Sequence, residues 1–108
     1  MKSLKFKPHL IEKILDGSKT TTWRLFDDKN LETGDEFEII NSDTKEVVGT
    51  GAIKYVTIKM LKDLDSADLD GHEKYENKEV MLENLRQYYG DKVNLETIVK
   101  IIKFELLK

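Results

Sequence analysis

The segment Gly17-Ser18-Lys19-Thr20-Thr21-Thr22-Trp23-Arg24 constrains the fold more than any other stretch of this 108-residue chain. Three β-branched threonines followed by a tryptophan favour an extended strand. Gly17, just before them, can take the positive φ that stops a helix. The chain is therefore expected to pass from helix to strand within a few residues. On such a strand Thr20, Thr22 and Arg24 share one face, and Thr21, Trp23 and Leu25 share the other. One face is hydroxyls and a guanidinium, and the other is largely apolar. A strand packed in a plain barrel has little use for that polar row, whereas a pocket for an anionic or hydrogen-bonding ligand does. Lys19 sits in the connection, where a side chain can reach a ligand.

The rest of the chain is punctuated in the same way. Residues 2–6 alternate as a short strand. Pro8 opens a helix carrying Leu10, Ile11, Ile14 and Leu15 at helical spacing, and Gly17 ends it. Residues 36–40 and 46–57 read as strands, the second with Gly49 and Gly51 where it can bend or bulge. Residues 60–64 suit one or two helical turns, and residues 65–77 are acidic and irregular. Residues 78–89 give the strongest helix, with Val80, Met81, Leu85, Tyr88 and Tyr89 as its stripe and Gly90 after it. Residues 97–107 form the last strand, and the apolar neighbours Ile101 and Ile102 predict a bulge there. About five strands with two or three flanking helices imply an α+β domain over residues 1–108, built as a closed or half-closed β-barrel. Regular βαβ alternation is absent, which argues against a doubly wound sheet.

Composition narrows the function classes. Charged residues make up 36% and hydrophobic residues 39%, enough apolar material for one core. No apolar run approaches the roughly 18 residues needed to span a bilayer. Lys2, Lys5 and Lys7 interrupt the N-terminal apolar residues, so no signal-peptide core is seen. With no cysteine, a reducing cytoplasm is the expected location and a disulfide framework is excluded. The net charge of −3 argues against a general polyanion binder. Residues 1–30, however, hold seven cationic residues against four carboxylates, a net of +3, which leaves −6 for the rest. That asymmetry permits a local anion site around residues 19–24.

The order of these pieces resembles the ASCH domain family: Gly17, Lys19, Thr22 and Arg24; then Leu31, Gly34 and Asp35; then Asp70-Gly71; then Tyr88-Tyr89-Gly90 and the final strand. The resemblance covers essentially the whole chain and implies a PUA-like β-barrel with a cleft for RNA or a modified nucleoside. It also implies, by likeness to small bacterial members, an amidohydrolase that removes the acetyl group of 4-acetylcytidine. In those enzymes the catalytic set is a Lys, a Thr two residues before the Arg, and a Glu from the later acidic loop. The first two fall on Lys19 and Thr22. The acid falls on Asp70, with Glu73 and Glu76 as alternatives.

Two chemistries follow. In the hydrolase, Lys19 acts as base for a Thr22 nucleophile, Arg24 stabilises the developing oxyanion, and Asp70 protonates the leaving amine. In the binding protein, Lys19 and Arg24 contact phosphate or a base edge, Thr20 and Thr22 complete the hydrogen bonding, and Glu73 and Tyr75 reach in from the acidic loop. Trp23 has the parity of a core residue. A protein-interaction adaptor is the third alternative, marked by an exposed apolar patch. No cofactor or metal is expected. His9 and His72 are far apart, and Asp63, Asp65, Asp68 and Asp70 lack the glycine and terminal glutamate of a calcium loop. The expected partner is RNA or a nucleoside, with no membrane association and a monomeric state.

Overall fold

Residues 1–107 are described by a computed structural model of the chain. The elements run β1 (Lys2–Phe6), α1 (Pro8–Leu15), β2 (Thr21–Leu25), β3 (Glu36–Asn41), β4 (Val47–Met60), α2 (Lys78–Tyr89) and β5 (Ile98–Leu106). Short 3-10 turns at Leu61–Asp63 and Ser66–Leu69 lie between β4 and α2. The strands form one mixed sheet in the order β1-β3-β4-β5-β2, with β1 parallel to β3 and the other pairs antiparallel. The sheet curls into a half-barrel, the PUA-like α+β arrangement. Its two edges are β1 and β2. Among the described residues no helix is long and apolar enough to cross a membrane.

Both faces of the sheet are covered. One core gathers Leu4, Phe6, Phe37, Ile39, Ile53, Ile102 and Phe104 against Ile11 and Ile14 of α1. The other gathers Trp23, Leu25, Val99 and Ile101 against Met81 and Leu85 of α2. Burying each of these α2 side chains is worth roughly 1.5–3 kcal/mol, so tertiary packing rather than propensity holds that helix in place. Asn77 caps it by accepting from the Val80 N–H, and Gly90 follows at φ 89°.

The two-sided burial corrects one expectation. Ile101 and Ile102 are adjacent because they face opposite cores, and β5 runs through them without a bulge. The bulge lies across the ladder on β4, at Lys54, between the pairs Ile53–Phe104 and Tyr55–Lys103. Gly51 serves β4 differently. A Cβ there would lie 2.6 Å from Phe37 Cζ, so only glycine lets that ring cross the strand. The acidic stretch is also more ordered than its composition suggests. Asp65 caps the second 3-10 turn by accepting from the Ala67 and Asp68 N–H groups, and Asp68 pairs with Lys59 at 2.8 Å.

Candidate functional site

Each edge strand has a ladder partner on one side only: β1 pairs with β3, and β2 with β5. Arg24 reaches across from β2 to β1. Its Nη2 donates to the Lys5 carbonyl at 3.2 Å, and its Nη1 donates to the Trp23 carbonyl at 3.0 Å and to Thr22 Oγ1 at 3.4 Å. The guanidinium lies 4.9 Å over the Phe6 ring. A cleft of about 460 Å³ opens here, walled by Leu4, Lys5, Phe6 and Lys7 from β1 and its end, by Thr22, Trp23 and Arg24 from β2, and by His72, Glu73 and Tyr75 from the acidic loop. Leu85, Tyr88 and Tyr89 of α2 add a further wall. Because the cleft meets an edge strand, it takes side chains from both faces of β2. Trp23 is therefore a core residue and a lining residue at once.

Lys19 is the most unusual side chain at this site. Its backbone N–H donates to the Lys13 carbonyl at the end of α1, which turns the chain inward after Gly17. The residue is only 3% exposed. Its Nζ donates to the Thr21 carbonyl at 2.9 Å and to Glu73 Oε2 at 2.6 Å. Burial pulls the ammonium below its ordinary pKa, and Glu73 partly offsets that. Burial pushes the Glu73 carboxyl up, but His72 and the Lys19 ammonium outweigh it and hold the carboxyl below its usual value.

The acidic loop is fixed to β2 by backbone. The Gly71 carbonyl accepts from the Thr20 and Thr21 N–H groups at 2.9 and 3.1 Å, and the Asp70 carbonyl accepts from Thr21 Oγ1 at 2.8 Å. Gly71 takes φ 75°, and a Cβ there would run into Thr20 Oγ1. This junction carries Glu73 to Lys19. Asp70 contributes its carbonyl to the junction while its side chain is exposed, and it does not line the cleft. Glu76 is exposed and also outside the lining. Thr20 lies outside it too and lines a separate cavity beside Gly17, Lys54 and Lys103. Tyr75 lines the cleft, tilted at 5.9 Å from Trp23, and burial and then Glu73 push its hydroxyl pKa up to about 12. Asp27, three residues beyond Arg24, binds Lys100 at 2.7 Å.

His72 belongs to the site although its sequence surroundings carry no metal or triad pattern. Its ring stacks on Trp23 at 4.2 Å with a 16° interplanar angle, and its Nδ1 lies 2.8 Å from the Glu73 carbonyl. Burial first, then Lys19, push its pKa down to about 4. The available signal was its place between Gly71 and Glu73. The rim adds Lys5, Lys7 and Lys29, so five cationic residues and one carboxylate line the cleft. Among the described residues no group of three or more His, Cys, Asp or Glu side chains is placed to hold a metal ion.

The sequence matches no protein-family model and no curated protein. Solved structures do match the fold. Hypothetical protein PH0355 aligns over 99% of this chain and 100% of its own, at a TM-score of 0.76 and 20% identity. The ASCH protein from Zymomonas mobilis aligns over 95% of this chain and 65% of its own, at a TM-score of 0.69 and 14% identity. The ASCH domain from Lactobacillus crispatus aligns over 88% and 68%, at a TM-score of 0.67 and 14% identity. The chain has the ASCH-domain fold. At these identities the likeness speaks to architecture, so the ligand of this ASCH-like barrel must be argued from the cleft itself.

Proposed function

We propose that the cleft binds a nucleoside, either free or within RNA. One observation carries this: a cleft on an acidic protein combines five cationic side chains with stacked and tilted aromatic rings at Trp23, His72 and Tyr75. A flat base suits the half-buried Tyr75 and exposed Tyr88 rings of the lining, and a ribose phosphate suits the rim. Arg24, held against β1, presents its remaining donors to a phosphate or a base edge. The ASCH-domain fold supports the same reading. Arg24→Ala should abolish nucleoside binding in calorimetric titration while the protein stays folded, at a lower unfolding midpoint because the bridge from β2 to the Lys5 carbonyl is lost. Unchanged affinity would remove Arg24 from the binding site.

The 2.6 Å contact between Lys19 and Glu73 favours a second reading, an amidohydrolase acting on an N-acylated cytidine. Transfer of a proton from Lys19 to Glu73 is uphill, because the carboxyl is held below its usual pKa, but burial reduces the cost by favouring the neutral amine. That amine takes the Thr22 hydroxyl proton, and the oxygen attacks the acyl carbon. The C–N bond breaks as protonated Glu73 donates to the leaving amine. Lys19, left protonated by the attack, again passes its proton to Glu73. The neutral amine then deprotonates a water that attacks the threonine ester, the ester C–O bond breaks, and Glu73 returns the proton to the Thr22 oxygen as acetic acid leaves. Arg24 Nη1, at 3.4 Å from Thr22 Oγ1, opposes the negative charge on that oxygen. Chromatography of 4-acetylcytidine incubated with the protein tests this. Release of cytidine and acetate, lost in Thr22→Val and Lys19→Met, is expected. Turnover retained in Thr22→Val would replace the threonine nucleophile with an activated water.

A further inference from the structure

His72 is the cleft residue that the Lys19, Thr22 and Glu73 chemistry leaves without a task. Its side chain is only 5% exposed. Trp23 stacks on its ring at 4.2 Å, and Tyr75 tilts 6.2 Å away. Its Nδ1 faces the Glu73 carbonyl oxygen at 2.8 Å. A carbonyl only accepts, so the ring hydrogen is on Nδ1 and the lone pair is on Nε2. Nε2 has no hydrogen-bond partner among the described residues. It is not sealed off either, because Trp23 Nε1 is the one fully buried side-chain polar atom among them that lacks a partner. The ring is therefore clamped in position and tautomer, with an unpartnered acceptor that is not fully buried, on a residue that lines the cleft.

The surroundings make that acceptor distinctive. Lys5, Lys7, Arg24 and Lys29 can only donate, Lys19 holds Glu73 Oε2, and the hydroxyls of Thr22, Tyr75, Tyr88 and Tyr89 can turn to donate, whereas Nε2 in this tautomer can only accept. Burial and the nearby Lys19 keep the imidazole neutral down to about pH 4, so it remains an acceptor at neutral pH. A largely buried acceptor without a partner is unfavourable until a ligand donor satisfies it.

We propose that His72 determines base specificity by accepting, at Nε2, a hydrogen bond from the exocyclic amino or amide N–H of the bound nucleobase. This rests on the nucleoside reading of the cleft and adds the feature by which the base is chosen. A base with a ring carbonyl or a bare carbon at that position leaves Nε2 unpaired, as it is in the free protein.

The test compares cytidine with the pyrimidin-2-one ribonucleoside, which lacks the 4-amino group and adds no bulk. A parallel pair, adenosine and purine ribonucleoside, distinguishes which amino-bearing base the cleft takes. Wild type should prefer the amino-bearing member of one pair by about tenfold. His72→Phe keeps a ring against Trp23, and its preference should fall to about one. His72→Gln restores a side-chain acceptor and should recover part of it. Nitrogen-detected NMR on the wild type needs no variant to fold: the His72 Nε2 resonance should move with the preferred nucleoside and stay in place with its amino-free analogue. Nucleoside binding without preference, or a preference unchanged in His72→Phe, overturns the role of His72 alone. No binding of any nucleoside overturns the proposed function together with it.

Discussion

At the scale of single residues the site is an ion pair with unequal burial. Lys19 is almost fully enclosed, while the Glu73 side chain is 27% exposed. Removing the acid leaves a buried ammonium without its counter-charge, whereas removing the cation leaves a carboxylate that can turn toward water. Glu73→Gln should therefore destabilise by about 2–3 kcal/mol, and Lys19→Met by less than about 1 kcal/mol. Equal losses in urea unfolding would mean that the pair is not buried in this way. His72 adds a pH dependence. The unfolded imidazole takes up a proton near pH 6.5 and the folded one near pH 4, so within that window the unfolded chain binds more protons. The stabilisation is complete above pH 6.5 and is lost as pH falls toward 4, by on the order of 3 kcal/mol. Unfolding midpoints measured across this range should fall steeply in wild type and more gently in His72→Phe. Parallel curves would show that another group titrates. Of these residues, Thr22 and Arg24 were legible as one face of a strand, and Lys19 from its place in the connection before it. Glu73 stood among three candidate acids, and His72 was not singled out. Their positions depend on how residues 70–77 lie in space, and periodicity says nothing of that.

At the scale of elements the deciding join is the one between the acidic loop and β2. The Gly71 carbonyl accepts two β2-end N–H groups, and its left-handed backbone leaves no room for a Cβ beside Thr20. Gly71→Ala should cost about 2–3 kcal/mol through the collision and the φ strain together. It should also weaken nucleoside binding by moving Glu73 away from Lys19. In a Thr20→Ala background the penalty should shrink by about 1 kcal/mol, because the colliding hydroxyl is gone. A fully additive double mutant would contradict this contact. Every strand and both α-helices were legible from alternation, helical spacing and the Gly and Pro stops. The shift at Val48 falls beside Gly49, where a bend was expected, but the one at Lys54 was not legible, because adjacent isoleucines look the same whether a strand slips register or packs on both faces. Only the position of α2 over the second core separates these cases.

At the scale of the whole molecule, charge separates the cleft from the rest of the surface. The net charge is −3, yet Lys5, Lys7 and Lys29 ring the opening. If these three meet phosphates of a single strand, the logarithm of RNA affinity should fall with the logarithm of salt at a slope of about −2. Lys7→Gln should reduce that slope by about 0.7 and leave mononucleoside affinity unchanged. A slope near zero would restrict the ligand to an uncharged nucleoside. The uneven charge was visible along the chain, but its convergence on one cleft was not, because β1 and β2 meet across the open side of the half-barrel rather than through a ladder. Exposed Tyr55, Ile58 and Ile98 lie on β4 and β5 outside the cleft lining and give a built-in control for mapping. The most direct test of a nucleoside cleft between the two edge strands is a heteronuclear NMR titration of the wild-type protein with 4-acetylcytidine. Shifts concentrated at Lys19, Thr22, the Trp23 indole N–H, Arg24, His72 and Tyr75, with Tyr55, Ile58 and Ile98 unmoved, are predicted. An unchanged spectrum, or shifts centred on Tyr55, Ile58 and Ile98, would contradict it.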